Sequence, residues 1–165
     1  MSAGNTVKDG TGIAYWLLVD ALGRLKINDD WAPSLQADEN LNDSDKTFTV
    51  TAAKVWEILW IWVEFTSDGT AGSRQLTVEL QDSLPDVIFQ MRAGIVQAQS
   101  LTRYYLFAPM GAEIVAFRDT DFLYVPLPPK IVLPASYIIR VYDKAAIAAA
   151  TDDMIVQMMV NQKSA

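Results

Sequence analysis

The run Val55-Trp56-Glu57-Ile58-Leu59-Trp60-Ile61-Trp62-Val63-Glu64-Phe65 constrains this chain more than any other stretch. Its β-branched and aromatic residues predict a strand. Successive side chains of a strand point to opposite faces. Regular alternation puts Val55, Leu59, Ile61, Val63 and Phe65 on one face and Trp56, Ile58, Trp60 and Trp62 on the other. Both faces are then apolar, whereas a sheet with one wet face alternates apolar and polar residues. Another sheet, another segment or another subunit must cover the second face. Left in water, Trp56, Trp60 and Trp62 would form an apolar patch larger than soluble monomers usually show. The strand predicts a β-sandwich that also assembles.

The segments around it carry the same signature. Lys46–Thr51 alternates, with Phe48 and Val50 inward, and Arg74–Asp82 sets Leu76, Val78 and Leu80 against a wet face of Gln75, Thr77, Glu79 and Gln81. Further strands are expected at Asp86–Arg92, Leu101–Phe107, Phe122–Val125, Lys130–Leu133, Tyr137–Asp143 and Met154–Val160. The Gly-rich stretch 67–73 permits a hairpin. Prolines are expected between strands or at their ends, where a missing N–H costs little. Ala145–Ala150 reads as one helical turn with Asp143 as its N-cap. About eight strands with uneven connections and no βαβ alternation predict an all-β fold, a jelly-roll or Greek-key β-sandwich.

Ahead of this domain, taken as 47–165, lie two other segments. Residues 1–27 read as an arm: a polar leader to residue 12, then a hairpin of Ile13–Val19 with Arg24–Ile27. Two strands alone are marginal in water, so this hairpin must dock, with Tyr15, Trp16 and Leu17 as its anchors. Residues 28–46 hold Asp29, Asp30, Asp38, Glu39, Asp43 and Asp45 and read as an acidic linker or long surface loop.

Composition removes several functions. The chain of 165 residues has no histidine and no cysteine. Ser-His-Asp triads, His- or Cys-ligated metals, thiol nucleophiles and disulfides are therefore excluded. A net charge of −7 without a basic patch argues against a nucleic-acid partner. No apolar run approaches the roughly 20 residues of a spanning helix, and residues 1–10 lack the pattern of a secretory signal, so no membrane partner is expected.

The remaining candidates are weak. Asn42-Asp43-Ser44-Asp45 offers oxygen ligands but lacks the glycine and terminal glutamate of a calcium loop. Asp9-Gly10-Thr11-Gly12 lacks the lysine and the helix of a phosphate loop and reads as a turn. Asp119 with Asp121, or Asp152 with Asp153, could pair as glycosidase carboxylates beside Tyr104, Tyr105 and Tyr124. A surface turn at Arg118–Asp121 and a position just before a strand for Asp152-Asp153 explain both pairs more simply. No catalytic residue, metal or cofactor is expected. The tryptophan face fits a ligand platform, a second core under the arm, or a subunit interface.

Two stretches resemble a known group. Val7–Gly12 followed by Tyr15–Asp20 and Gly23-Arg24-Leu25, and near the other end Leu133–Asp143 with Ala145–Met154, resemble small structural proteins of tailed bacteriophages. The resemblance implies a non-enzymatic jelly roll that trimerises on the virion as a capsid decoration (cement) protein. It implies contact with itself and with the major capsid protein, manufacture in the host cytoplasm, and residence on the capsid surface. A fibre-tip or carbohydrate-binding receptor module, or another tail or head–tail structural protein, are the alternatives.

Overall fold

The computed structural model describes residues 6–8, 14–16, 31–109 and 121–165. They fall into two compact units, Met1–Asp30 and Trp31–Ala165.

The first unit holds β1 (Thr6–Lys8) and β2 (Ala14–Trp16), paired antiparallel with Thr6 opposite Trp16. The arm's hairpin therefore draws one strand from the stretch read as leader. Gly10 and Gly12 lie in the sequence between these two strands. Arg24–Ile27 lies outside the described residues.

The second unit is an all-β sandwich of the jelly-roll type. One sheet contains β3 (Ala32–Asp38), β12 (Asp153–Ser164), β5 (Lys54–Thr66), β8 (Thr102–Pro109) and β9 (Phe122–Leu127) in that order, with β10 (Val132–Leu133) also paired to β5. The other runs β4 (Asp45–Thr49), β11 (Ile138–Asp143), β6 (Leu76–Gln81) and β7 (Val87–Arg92). Pairing is antiparallel except between β8 and β9, which are parallel and joined through residues 110–121. A parallel pair requires such a long crossover.

Between the sheets lies one core. From the six-stranded sheet come Ile61, Val63, Phe65, Tyr105, Phe107, Met154, Val156, Met158 and Val160; from the other come Phe48, Leu76, Val78, Leu80, Ile139 and Val141. Each such side chain stabilises the fold by about 1.5–3 kcal/mol relative to exposure.

The spine of the larger sheet is irregular. Met159 faces Trp60 across the β12–β5 ladder, yet the next residue, Val160, faces Ile58, so Leu59 is an unmatched residue on β5. This β-bulge reverses the alternation at its midpoint. Trp56 and Ile58 are buried before it; Ile61, Val63 and Phe65 are buried after it. The single tryptophan face expected from strict alternation is thus divided: Trp56 belongs to the core at 2 % exposure, while Trp60 and Trp62 lie half-buried on the outer surface. The bulge sits where β5 exchanges one neighbour for another, β10 up to Glu57 and β8 from Ile61 onward.

Other expectations change for similar physical reasons. Residues 32–38, inside the stretch read as an acidic linker, form the edge strand β3 on β12. The 67–73 connection does not close a hairpin, because β5 and β6 belong to different sheets. Pro33 and Pro126 sit within strands, and both strands are edges, where an absent donor is tolerated. Ala145–Ala150 forms turns with left-handed φ at Ala146 and Ala148 instead of a helical turn. Asp143 still caps them, accepting from the N–H of Ala145 (3.1 Å) and Ile147 (3.2 Å).

Candidate functional site: two unlike outer faces

The outer face of the four-stranded sheet is polar and internally satisfied. Glu79 on β6 accepts hydrogen bonds from Tyr142 Oη (2.8 Å) on β11, Gln90 Nε2 (2.8 Å) on β7 and Gln81 Nε2 (2.7 Å). The Arg140 guanidinium lies over the Tyr142 ring, 4.3 Å from its centroid, and forms a two-pronged ion pair with Asp45. Burial pushes the Glu79 carboxyl up, but these bonds together hold it below the ordinary glutamate value. The expected wet face of β6 is therefore closed: Thr77 and Glu79 are buried by cross-strand partners rather than by water.

The outer face of the six-stranded sheet is the reverse. Trp62 on β5, Tyr104 on β8 and Phe122 on β9 form a compact aromatic cluster. Tyr104 stacks on Phe122 at 4.7 Å and 20°, Trp62 stacks on Tyr104 at 5.6 Å and 20°, and Trp62 meets Phe122 at 6.1 Å. Next to it Trp60, Trp62, Leu106, Ala108 and Gln157 line a shallow apolar depression of about 480 Å³. Met159 beside Trp60, Leu35 beside Met159, and Tyr124 beside Leu106 extend the same face. The Tyr124 hydroxyl donates to the Ala108 carbonyl at 2.8 Å.

These placements sort the tyrosines. Tyr104 and Tyr124 are on the outer face, whereas Tyr105 is fully buried in the core, its hydroxyl donating to Gln97 Oε1 at 3.0 Å. Burial pushes the Tyr105 phenol up to about 12. Tyr104, Tyr105 and Tyr124 therefore do not share one surface. Tyr15 and Trp16 fall on β2 of the N-terminal unit, and Leu17 lies outside the described residues.

The carboxylates have structural partners. Asp152 is fully buried and receives Arg74 Nε (2.8 Å) and Nη2 (3.0 Å), while Asp68 receives the same Nη2 at 2.7 Å. The Asp68 N–H also donates to Asp152 at 2.8 Å, so this carboxylate sits in the interior as the partner of Arg74 and Asp68. Asp121 is exposed; Asp119 and the Asp9–Gly12 loop lie outside the described residues. At the acidic 38–46 stretch, Lys46 is buried and sends its ammonium to the Asn40 carbonyl (2.8 Å), the Asn42 side-chain oxygen and Asp43 (3.2 Å). Of the residues that suggested a calcium loop, Asn42 and Asp43 face this lysine and Asp45 pairs with Arg140. Among the described residues no group of three or more acidic side chains is placed to hold a metal, and no helix is long and apolar enough to cross a membrane. The aromatic cluster and the Leu59 bulge that exposes it were missed from sequence, since no glycine or proline marks the bulge.

Fold and surface together define a jelly-roll-type sandwich with one closed polar face and one open aromatic face. No protein-family model and no curated protein matches the sequence. Among solved structures, the chain is similar to part of an exo-β-agarase (11 % identity, TM-score 0.36, 99 % of this chain and 22 % of that one). It is similar to part of an arabinose-bound α-L-arabinofuranosidase (13 %, 0.35, 82 % and 23 %) and of the infectious bursal disease virus Gx strain (9 %, 0.28, 79 % and 31 %). The chain spans less than a third of each, and likenesses this distant carry no functional argument.

Proposed function

We propose that this chain is a non-enzymatic bacteriophage virion protein, a capsid decoration (cement) subunit. It self-associates, as a trimer, and attaches to the major capsid protein. The observation that supports this reading is the contrast between the two outer faces. The polar face has its hydrogen bonds closed within one chain, while the other leaves an apolar depression lined by Trp60 and Trp62, beside the Trp62–Phe122 contact, that a neighbour's side chains would fill. Aromatic residues of this kind anchor interface cores. The Tyr15, Trp16 and Leu17 arm is the second anchor, docking in a neighbouring subunit, and many equivalent copies multiply modest contacts.

The alternative of a carbohydrate-binding fibre tip is less well supported. Sugar rings stack on open aromatic faces, and here Tyr104, Phe122 and Trp62 turn theirs toward one another.

The test compares the full chain, a chain lacking residues 1–27, and Trp62→Arg by light scattering and by sedimentation with phage heads that lack decoration. Association built on a threefold contact, and head binding, are expected in the full chain; Trp62→Arg should lose the threefold contact and the head binding. A monomer that binds a surface polysaccharide instead would favour the fibre-tip reading.

A further inference from the structure

We propose that the free edge of β7 is a second docking surface, and that its occupant is β7 of another copy of this chain, paired antiparallel. The sandwich ends in four strand edges, β3 and β9 on one sheet and β4 and β7 on the other. A free edge offers N–H and C=O groups to any extended strand, and proteins normally blunt it with prolines, charges or bulges. Three of these edges are blunted: β3 by Pro33 and Asp38, β9 by Pro126, and β4 by the half-exposed Asp45. From Val87 to Met91, β7 has neither a proline nor a charge.

Its one irregularity adds apolar surface. Leu80 faces Phe89 and Gln81 faces Val87, leaving Ile88 unmatched. This bulge leaves Val87 and Ile88 both exposed, at 56 % and 52 %, next to Leu84 at 77 %. The result is an apolar ridge beside an edge whose Phe89–Met91 stretch carries no proline, charge or bulge.

Charge identifies the occupant. Asp82 and Asp86 stand at the start of β7 and Arg92 at its end. The Arg92 guanidinium bonds Gln90 Oε1 (3.1 and 2.7 Å) and meets no carboxylate among the described residues. Two antiparallel β7 strands lay the acidic start of each beside the Arg92 of the other, and the two-fold axis makes that contact twice. A parallel copy would set like charges together. The pairing would join two four-stranded sheets into one, at a surface separate from the aromatic face.

Sedimentation equilibrium of the full chain tests this with Arg92→Glu, Asp86→Arg, their combination, and Ile88→Lys, each checked for native circular dichroism. Each single charge reversal is expected to weaken self-association about tenfold. The combination should recover most of the loss, Ile88→Lys should weaken it, and Trp62→Arg should leave this contact in place. Association unchanged by every β7 variant, or a double variant no better than either single one, would overturn the proposal. So would self-association abolished by Trp62→Arg alone.

Discussion

Arg74 and Asp152 form a two-pronged ion pair from which water is fully excluded, each side chain having no exposed surface. It joins the loop entering β6 to the residue that precedes β12, and through Asp68 it also fixes the end of β5.

Removing one partner of this pair strands the other. Arg74→Met is expected to destabilise the sandwich by about 3–5 kcal/mol, because the buried Asp152 carboxylate loses its counter-charge. Replacing both by apolar residues should cost much less. Urea denaturation of the single and double variants measures the difference.

The Leu59 bulge makes two neighbouring tryptophans respond differently. Trp56→Ala should cost about 3–5 kcal/mol of stability, as expected of a large core residue. Trp60→Ala and Trp62→Ala should cost far less stability and act on self-association instead. Thermal melts beside light scattering separate the two effects, and acrylamide should quench Trp60 and Trp62 but not Trp56.

Glu79 sets an acid limit. Its folded carboxyl is held below the ordinary value of 4.5, so the network contributes stability above that pH and loses it as pH falls through the folded value. Asp68, lowered chiefly by the Thr151 hydroxyl, acts in the same direction. The wild-type midpoint should therefore drop below about pH 4.5, and Glu79→Gln should flatten that part of the profile.

Tyr105 should remain un-ionised to about pH 12 in an ultraviolet pH series of the folded protein. Tyr105→Phe leaves Gln97 Oε1 buried without its donor and should cost about 1–3 kcal/mol.

The amino-acid pattern conveys the sandwich because its core strands obey period two. Leu76, Val78 and Leu80 on β6, and Met154, Val156, Met158 and Val160 on β12, face inward as alternation requires. What it conceals depends on distant partners. Glu79 reads as exposed because Tyr142 is 63 positions away and Gln90 eleven. The edge strand β3 reads as linker because Ala-Pro-Ser-Leu-Gln-Ala-Asp carries no β-branched or aromatic residue and only β12 gives it order. The bulge at Leu59 is decided by the pairing with β12, β10 and β8 together, none of which a local window contains. The candidate site inherits that blindness: the need to cover a tryptophan face is readable in the sequence, but not which tryptophans form it.

The ammonium of Lys46, enclosed by the oxygens of residues 38–43, has a practical outcome. A loop built around a dissolved ion takes its shape from whatever the surroundings supply, and gives it up to a chelator. Here the positive charge is covalently tethered. It cannot be leached, exchanged or diluted away, so this corner of the molecule should keep one conformation in fresh water, brine or buffered extract alike.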